Sequence, residues 1–215
     1  MTGKISFMFM SNVPAVAIAG SAIVLLLCWY MGIFQNITFQ KEVLGPVKLY
    51  HRKGQGQYSS VGPAFQAALD YLQSKGLSES TNPTAGIYYD DPENVPSGVE
   101  PRYAVGFMYS VDGNDKNNEE LQKEFINDGW ELLDIPQTQT LSSRFPKKHV
   151  PLSCIISAMK TYPAYRKSGH PMPSGGCMEI YEKNDIITYF PQDSGETFLH
   201  PSCPSGCTSS EKKEK

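Results

Sequence analysis

No charged residue occurs between Lys4 and Lys41, and inside that gap the 22 residues from Val13 to Phe34, VPAVAIAGSAIVLLLCWYMGIF, are almost unbroken apolar sequence. At about 1.5 Å per residue a helix of that length reaches across a hydrocarbon layer of roughly 30 Å. A chain carrying such a run must bury it completely or hand it to a membrane. A cleaved secretory signal has a shorter apolar core, about 7–15 residues, and then small residues at the cleavage point. Here Ala15, Ala17 and Ala19 come before Leu25-Leu26-Leu27, and Trp29 and Tyr30 follow where interfacial aromatic anchors gather. The run predicts a retained transmembrane helix over 13–34, behind a short lumenal N-terminus over 1–12. A buried globular helix is the competing reading.

Orientation follows from the lysines and arginines beside the span, which favour the cytoplasmic side. Lys4 stands alone upstream, whereas Lys41, Lys48, Arg52 and Lys53 follow downstream. The larger part is expected in the cytosol. Asn36-Ile37-Thr38 forms a glycosylation sequon that abuts the span and decides nothing. Five cysteines, one of them inside the span, do not make a secreted disulfide framework, so reduced thiols are expected. With a formal net charge of -3 the chain has no basic field for phosphate contacts, and direct nucleic-acid binding is not expected.

Beyond the span the pattern is α+β. Val47–Gly54 alternates as a strand. Pro63 opens a helix in which Phe65, Leu69 and Leu72 recur at helical spacing, and Gly76 closes it. AGIYYD and RYAVGFMYS read as strands around a loop rich in Pro, Gly, Asn and Asp. The order then recurs: TQTLSSRFP is strand-like, VPLSCIISAMK begins a helix that Pro163 is expected to break or kink, and CMEIYEKND with IITYFP makes a hairpin. A short amphipathic helix, 117–129, and the strand WELLDIP lie between the halves. This predicts duplicated βαββ units in an antiparallel sheet over 40–192, with helices on one face and an open concave face opposite. Residues 193–215 are expected to form a flexible C-terminal tail.

Within that frame GIYYDDPENVP and PRYAVG, preceded by GPAFQAAL and followed by MEIYEKNDI, resemble the gyrase-inhibitor-like small-molecule-binding domain. The likeness runs from Gln40 to about Gln192. The Tyr-Tyr-Asp-x-Pro and x-Val-Pro pieces followed by Ala-Val-Gly are its most specific part. Joined to one amino-terminal span, the domain resembles the testis-expressed protein 264 family of endoplasmic reticulum autophagy receptors. That resemblance implies a single-pass reticulum protein that gathers membrane for autophagy through the autophagosomal ubiquitin-like modifier. It also implies an adaptor role bringing a AAA segregase to topoisomerase crosslinks, and no cofactor. The chain departs from the family after Pro191: its remaining residues hold no acidic aromatic-x-x-aliphatic motif.

Candidate residues follow. Trp130 and Leu133, in DGWELL, have the spacing of a motif that adds a strand to a partner's sheet edge; as the start of a buried strand they would instead be core. For a ligand cleft the candidates are Tyr88, Tyr89, Glu179 and Tyr181. If Ile180 packs against the helices, strand alternation puts Glu179 and Tyr181 on the open face. Soluble relatives with hydrolase activity use a pocket carboxylate, which makes Glu179 the one catalytic candidate and a small-molecule binder or hydrolase the alternative function. Asp90 and Asp91 read as turn makers rather than metal ligands, with Arg102 pairing one of them at the surface. His200, Cys203 and Cys207 would need a fourth ligand to hold zinc, and no metal is expected. His51, His149 and His170 fit no triad, and no nucleotide motif occurs.

Overall fold

The structure, a computed structural model, describes residues 13–91, 94–109, 117–173, 175–192 and 198. Its strands are β1 (Gln40–Leu44), β2 (Val47–Gln55), β3 (Thr84–Tyr88), β4 (Arg102–Met108), β5 (Glu131–Ile135), β6 (Thr138–Pro146), β7 (Cys177–Tyr181) and β8 (Asp185–Pro191). Among the described residues the α-helices are α1 (Val13–Tyr30), α2 (Gly62–Ser74), α3 (Asn117–Asn127) and α4 (Val150–Lys167). All strands join one antiparallel sheet in the order β1-β6-β8-β7-β3-β4-β2-β5.

The duplication is visible in that order. One unit is β2-α2-β3-β4 and the other β6-α4-β7-β8, and they meet where β3 pairs with β7, placing Gly86 opposite Glu179. The strand leading into each unit is given to the other: β1 precedes β2 but pairs with β6, while β5 precedes β6 but pairs with β2. Sequence alternation missed β1, whose five residues are mostly exposed and carry little apolar pattern.

This exchange curls the sheet. β1 connects to β2 through Gly45 and Pro46 alone, and β5 to β6 through Pro136 and Gln137 alone, although each pair belongs to opposite ends of the strand order. Two linking residues span at most about 11 Å between flanking Cα atoms, so the sheet must bend until its ends approach. Gly45 turns there with φ +86. Inside the curl lies an apolar cluster that includes Leu44 from β1 and Leu133 from β5, together with Ile87, Met178, Ile180 and Tyr189. Helices pack on the outer face, so both faces of the sheet are covered.

α2 forms as the sequence predicts, with Pro63 in the first turn and Gly76 at φ +69 just beyond the end. α4 differs from expectation because it runs unbroken through Pro163 to Lys167. The carbonyl that Pro163 leaves without an amide belongs to Met159, an exposed residue on the outward side of the helix.

The apolar run is helical over Val13–Tyr30 and not to residue 34. Gly32 ends it by taking φ +77, a conformation that disfavours any side chain, and its Cα lies so close to β6 that a Cβ would stand 3.0 Å from the Phe145 ring. Among the described residues no helix is long and apolar enough to cross a membrane. α1 measures 18 residues, about 27 Å. Nor is it a buried globular helix: Ile18, Leu26 and Trp29 stand open, Trp29 at 71% of its full exposure.

Candidate functional site

The centre of the outer face, where β7 runs beneath α2 and α4, gathers most of the predicted cleft residues. Along β7 the side chains of Cys177, Glu179 and Tyr181 alternate with Met178 and Ile180, and the latter two belong to the inner cluster. Expectation had this phase reversed, with Ile180 against the helices and Glu179 on an open face. Glu179 instead meets the helix layer, where Tyr162 of α4 donates to its Oε1 at 2.8 Å. Tyr181 donates to Oε2 at 2.5 Å, and the Tyr181 and Tyr88 hydroxyls lie 3.2 Å apart. The phase is decided by the curl, which needs the smooth apolar set, Ile87, Met178 and Ile180, inside.

Aromatic rings close this centre. Phe65 of α2 meets Tyr181 edge-on with ring centroids 4.7 Å apart, and Tyr58 meets Tyr88 at 4.8 Å. Glu179 retains only 6% of its exposure. The expected open aromatic cleft is therefore filled by the protein's own side chains. Tyr89, the fourth cleft candidate, points the other way and is buried in the inner cluster, as alternation after Tyr88 requires. A surface depression of about 350 Å³ occurs elsewhere, between α3 and β5, lined by Tyr50, Gln122, Ile126 and Leu132 among others.

Burial sets the electrostatics. It pushes the Glu179 carboxyl above the usual carboxylate range, against the opposing pull of its hydrogen bonds from Tyr181 and Tyr162. Burial, reinforced by the negative charge available to Glu179, holds the Tyr88 and Tyr181 phenols well above their ordinary value, so both remain neutral donors. The Cys177 thiol is raised by burial and then by Glu179, and Cys154 is pushed up to about 11 for the same reasons. Neither thiol supplies a thiolate nucleophile at neutral pH. What the centre can do is hold a proton on a desolvated carboxyl.

The Asp90-Asp91 stretch is a clasp. Asp90 accepts from the Arg102 guanidinium through both oxygens, at 3.0 and 2.8 Å, and from the Arg102 amide at 2.7 Å. That pair is largely buried, not the surface pair expected. Tyr58 lies against the same turn, accepting from the Asp90 amide and donating to the Arg102 carbonyl. Asp91 reaches across to Arg166 of α4 at 2.6 Å, tying the hairpin to the helix. Turn making was legible from Asp-Pro chemistry; the partner on α4 was not.

Trp130 and Leu133 do not form an exposed partner motif. Trp130 keeps 3% exposure, wedged among Tyr71 and Phe107 with the Arg52 guanidinium over its ring at 4.4 Å, and Leu133 belongs to the inner cluster. A strand-addition motif must place both side chains in a partner's pockets. The buried-strand reading of DGWELL is the one that holds.

Sequence reasoning missed Tyr162, Tyr58, Phe65 and Cys177. The available signal was on α4, where Ser153, Ser157, Thr161 and Tyr165 recur every fourth residue and are buried. His200, Cys203 and Cys207 lie outside the described residues. Among the described residues no cluster of three His, Cys, Asp or Glu could hold a metal ion.

No protein family and no curated protein matches the chain. Among solved structures it is similar to SAV2435 bound to tetraphenylphosphonium, at 9% identity and TM-score 0.48, covering 72% of this chain and 93% of that one. It is also similar to the EcmrR C-terminal domain, at 10% identity and TM-score 0.42, covering 72% and 96%. A third likeness is to an integron cassette protein from the mobile metagenome of Vibrio cholerae, at 10% identity and TM-score 0.42, covering 74% and 97%. Likenesses this remote carry no argument about what the present chain binds or does.

Proposed function

We propose that this chain is a single-pass adaptor of the endoplasmic reticulum, anchored by the apolar run over 13–34 of which α1 is the helical part, with a gyrase-inhibitor-like domain facing the cytosol, acting in autophagy of the reticulum. The observation that carries the adaptor reading is the closure of the Glu179 centre by Tyr58, Phe65, Tyr88, Tyr162 and Tyr181. A docking module presents its outer surface and gains rigidity from a filled interior; a ligand site must leave room. Placement in the membrane is supported by the open apolar surface of α1, and the cell-biological role by the sequence resemblance. An accessory role in bringing a AAA segregase to topoisomerase crosslinks belongs to the same resemblance.

The test is delivery of a reticulum-resident reporter to lysosomes in cells expressing the chain, the chain ending at Gln192, or neither. Delivery above the control supports the receptor role, and its loss on truncation assigns contact with the autophagosomal modifier to residues 193–215. Unchanged delivery overturns the reading.

One observation favours a second reading. A desolvated carboxyl ringed by aromatic faces suits a lipophilic cation, which it would meet as a carboxylate once bound. Entry requires Tyr162 to give way. Calorimetric titration with tetraphenylphosphonium, and with the Glu179→Gln variant, separates the two: binding that the variant loses makes the chain a small-molecule binder, and a hydrolase reading would further require turnover of an ester or epoxide.

A further inference from the structure

α4 packs inside out. It buries Ser153, Ser157, Thr161 and Tyr165 against the sheet, while Leu152, Ile155 and Met159, spaced i, i+3, i+7 on one helical face, point away from the protein. Ile155 keeps 56% of its exposure and Met159 71%. An amphipathic helix normally turns this stripe to the core. Some other apolar medium must cover it.

Charge and position identify that medium. From residue 135 to residue 178 the chain has six basic residues, Arg144, Lys147, Lys148, Lys160, Arg166 and Lys167, and no acidic one, although the whole chain is net negative. Three of the six are paired, Arg144 with Glu42, Lys147 with Glu79 and Arg166 with Asp91. Lys148, Lys160 and Lys167 flank the apolar stripe with no ion pair among the described residues. Another acid-free stretch, residues 1–41, contains α1, and the two touch. The Lys160 ammonium donates to the Ile33 carbonyl, and the Lys148 ammonium lies 5.8 Å from the Tyr30 ring centroid. The open apolar face of α4 therefore begins where α1 ends, and basic side chains border both.

We propose that the outward face of α4 is a lipid-docking surface, lying along an anionic bilayer beside the point where α1 enters it. This inference rests on the reading of α1 as a membrane anchor. Leu152, Ile155 and Met159 enter the boundary between headgroups and acyl chains, and Lys148 and Lys167 meet anionic headgroups, each such cation raising partition about fivefold. The buried hydroxyl stripe is the counterpart of this arrangement, since the apolar face that would ordinarily fill the core is committed outside.

The test uses the full chain in vesicles of acyl-brominated phosphatidylcholine with about one third phosphatidylserine, in which bromine quenches any tryptophan at acyl depth. The chain has two tryptophans, Trp29 and Trp130. Three single-tryptophan forms are compared: Trp130→Phe, which reports position 29; Trp29→Phe, which reports the buried position 130; and Met159→Trp with both natural tryptophans changed to Phe. Docking predicts that positions 29 and 159 each lose more than about half their emission while position 130 is unchanged. It also predicts that Lys148→Glu with Lys167→Glu, or omission of phosphatidylserine, restores emission at 159 and not at 29. Quenching at 29 without quenching at 159 overturns docking and leaves the anchor standing. If neither is quenched, the anchor reading falls and docking with it. Emission at 159 that shifts with protein concentration, in the absence of quenching, would assign the face to a second copy and equally overturn the proposal.

Discussion

The two βαββ units share a topology and differ in how each helix meets the sheet. α2 presents Ala68 and Leu72 to the sheet, in a cluster where Tyr50, Phe107, Phe125 and Trp130 pack mostly edge to face with ring centroids about 5–6 Å apart. α4 presents hydroxyls, beside a buried carboxyl and a buried thiol. The first helix sits on an aromatic cluster. The second turns Leu152, Ile155 and Met159 to the surface and sits over titratable groups. Duplicating a topology thus does not duplicate a core: α2 fills its groove with Ala68 and Leu72, and α4 fills the corresponding one with Ser153, Ser157, Thr161 and Tyr165.

The largest effect that would break this contrast is in the first half. Phe107→Ala removes a fully buried ring touching Tyr50, Tyr71, Phe125 and Trp130, and urea unfolding of the domain should show a loss of about 3–5 kcal/mol. A loss under about 1 kcal/mol would mean that this aromatic cluster is not a main source of the domain's stability. Next is the clasp inside the β3–β4 hairpin of the first unit. Asp90→Ala takes away the carboxylate that the largely buried Arg102 guanidinium meets through both oxygens and should cost about 3 kcal/mol in the same assay, whereas Arg144→Ala, at an exposed pair with Glu42, should cost no more than about 1 kcal/mol.

Two smaller effects sharpen the comparison. Ser157 is buried and its hydroxyl has no partner among the described residues, so Ser157→Ala should be neutral or stabilising by about 1 kcal/mol, while Ala68→Ser in α2 should destabilise by about 1–2 kcal/mol. Opposite signs confirm that the helices fill their grooves by different chemistry; equal losses refute it. Glu179 supplies a pH signature. Its folded value is raised, so the native state holds a proton that the unfolded state has released, and stability falls as pH climbs from the ordinary carboxylate range through the folded value. Glu179→Gln, which mimics the protonated form, should melt above the native chain at neutral pH, with the gap closing on acidification. A gap independent of pH would mean that the carboxyl does not titrate in that window.

Much of this architecture was legible. The β2, β3, β4 and β6 segments, both hairpins and the start and stop of α2 follow from alternation, Pro63, Gly76 and the Pro-Gly-Asn-Asp loop, because those signals act within a few residues of where they are read. The Glu179 centre was legible as a set of chemical types but not as a place. Alternation places Glu179 with Tyr181 and opposite Ile180, and it cannot say which set meets the helices; that depends on the sheet curling, which in turn depends on β1 and β5 pairing with the far unit. The α4 face was misleading for a related reason, since periodicity reports that a stripe exists and not which stripe is inside.

By itself the sequence determined the apolar run at the amino terminus, the twice-repeated order of strand, helix and hairpin, the acid-free stretches and the residue types around β7. Only the tertiary structure decided the direction in which each face points: Trp130 and Leu133 into the core, Glu179 under Tyr162, Tyr89 away from Tyr88, and Leu152, Ile155 and Met159 out to solvent. Local patterns are set by backbone geometry with periods of 2 and 3.6 residues, whereas the inside of a sheet is defined by contacts between segments a hundred residues apart, through two-residue links that force its ends together.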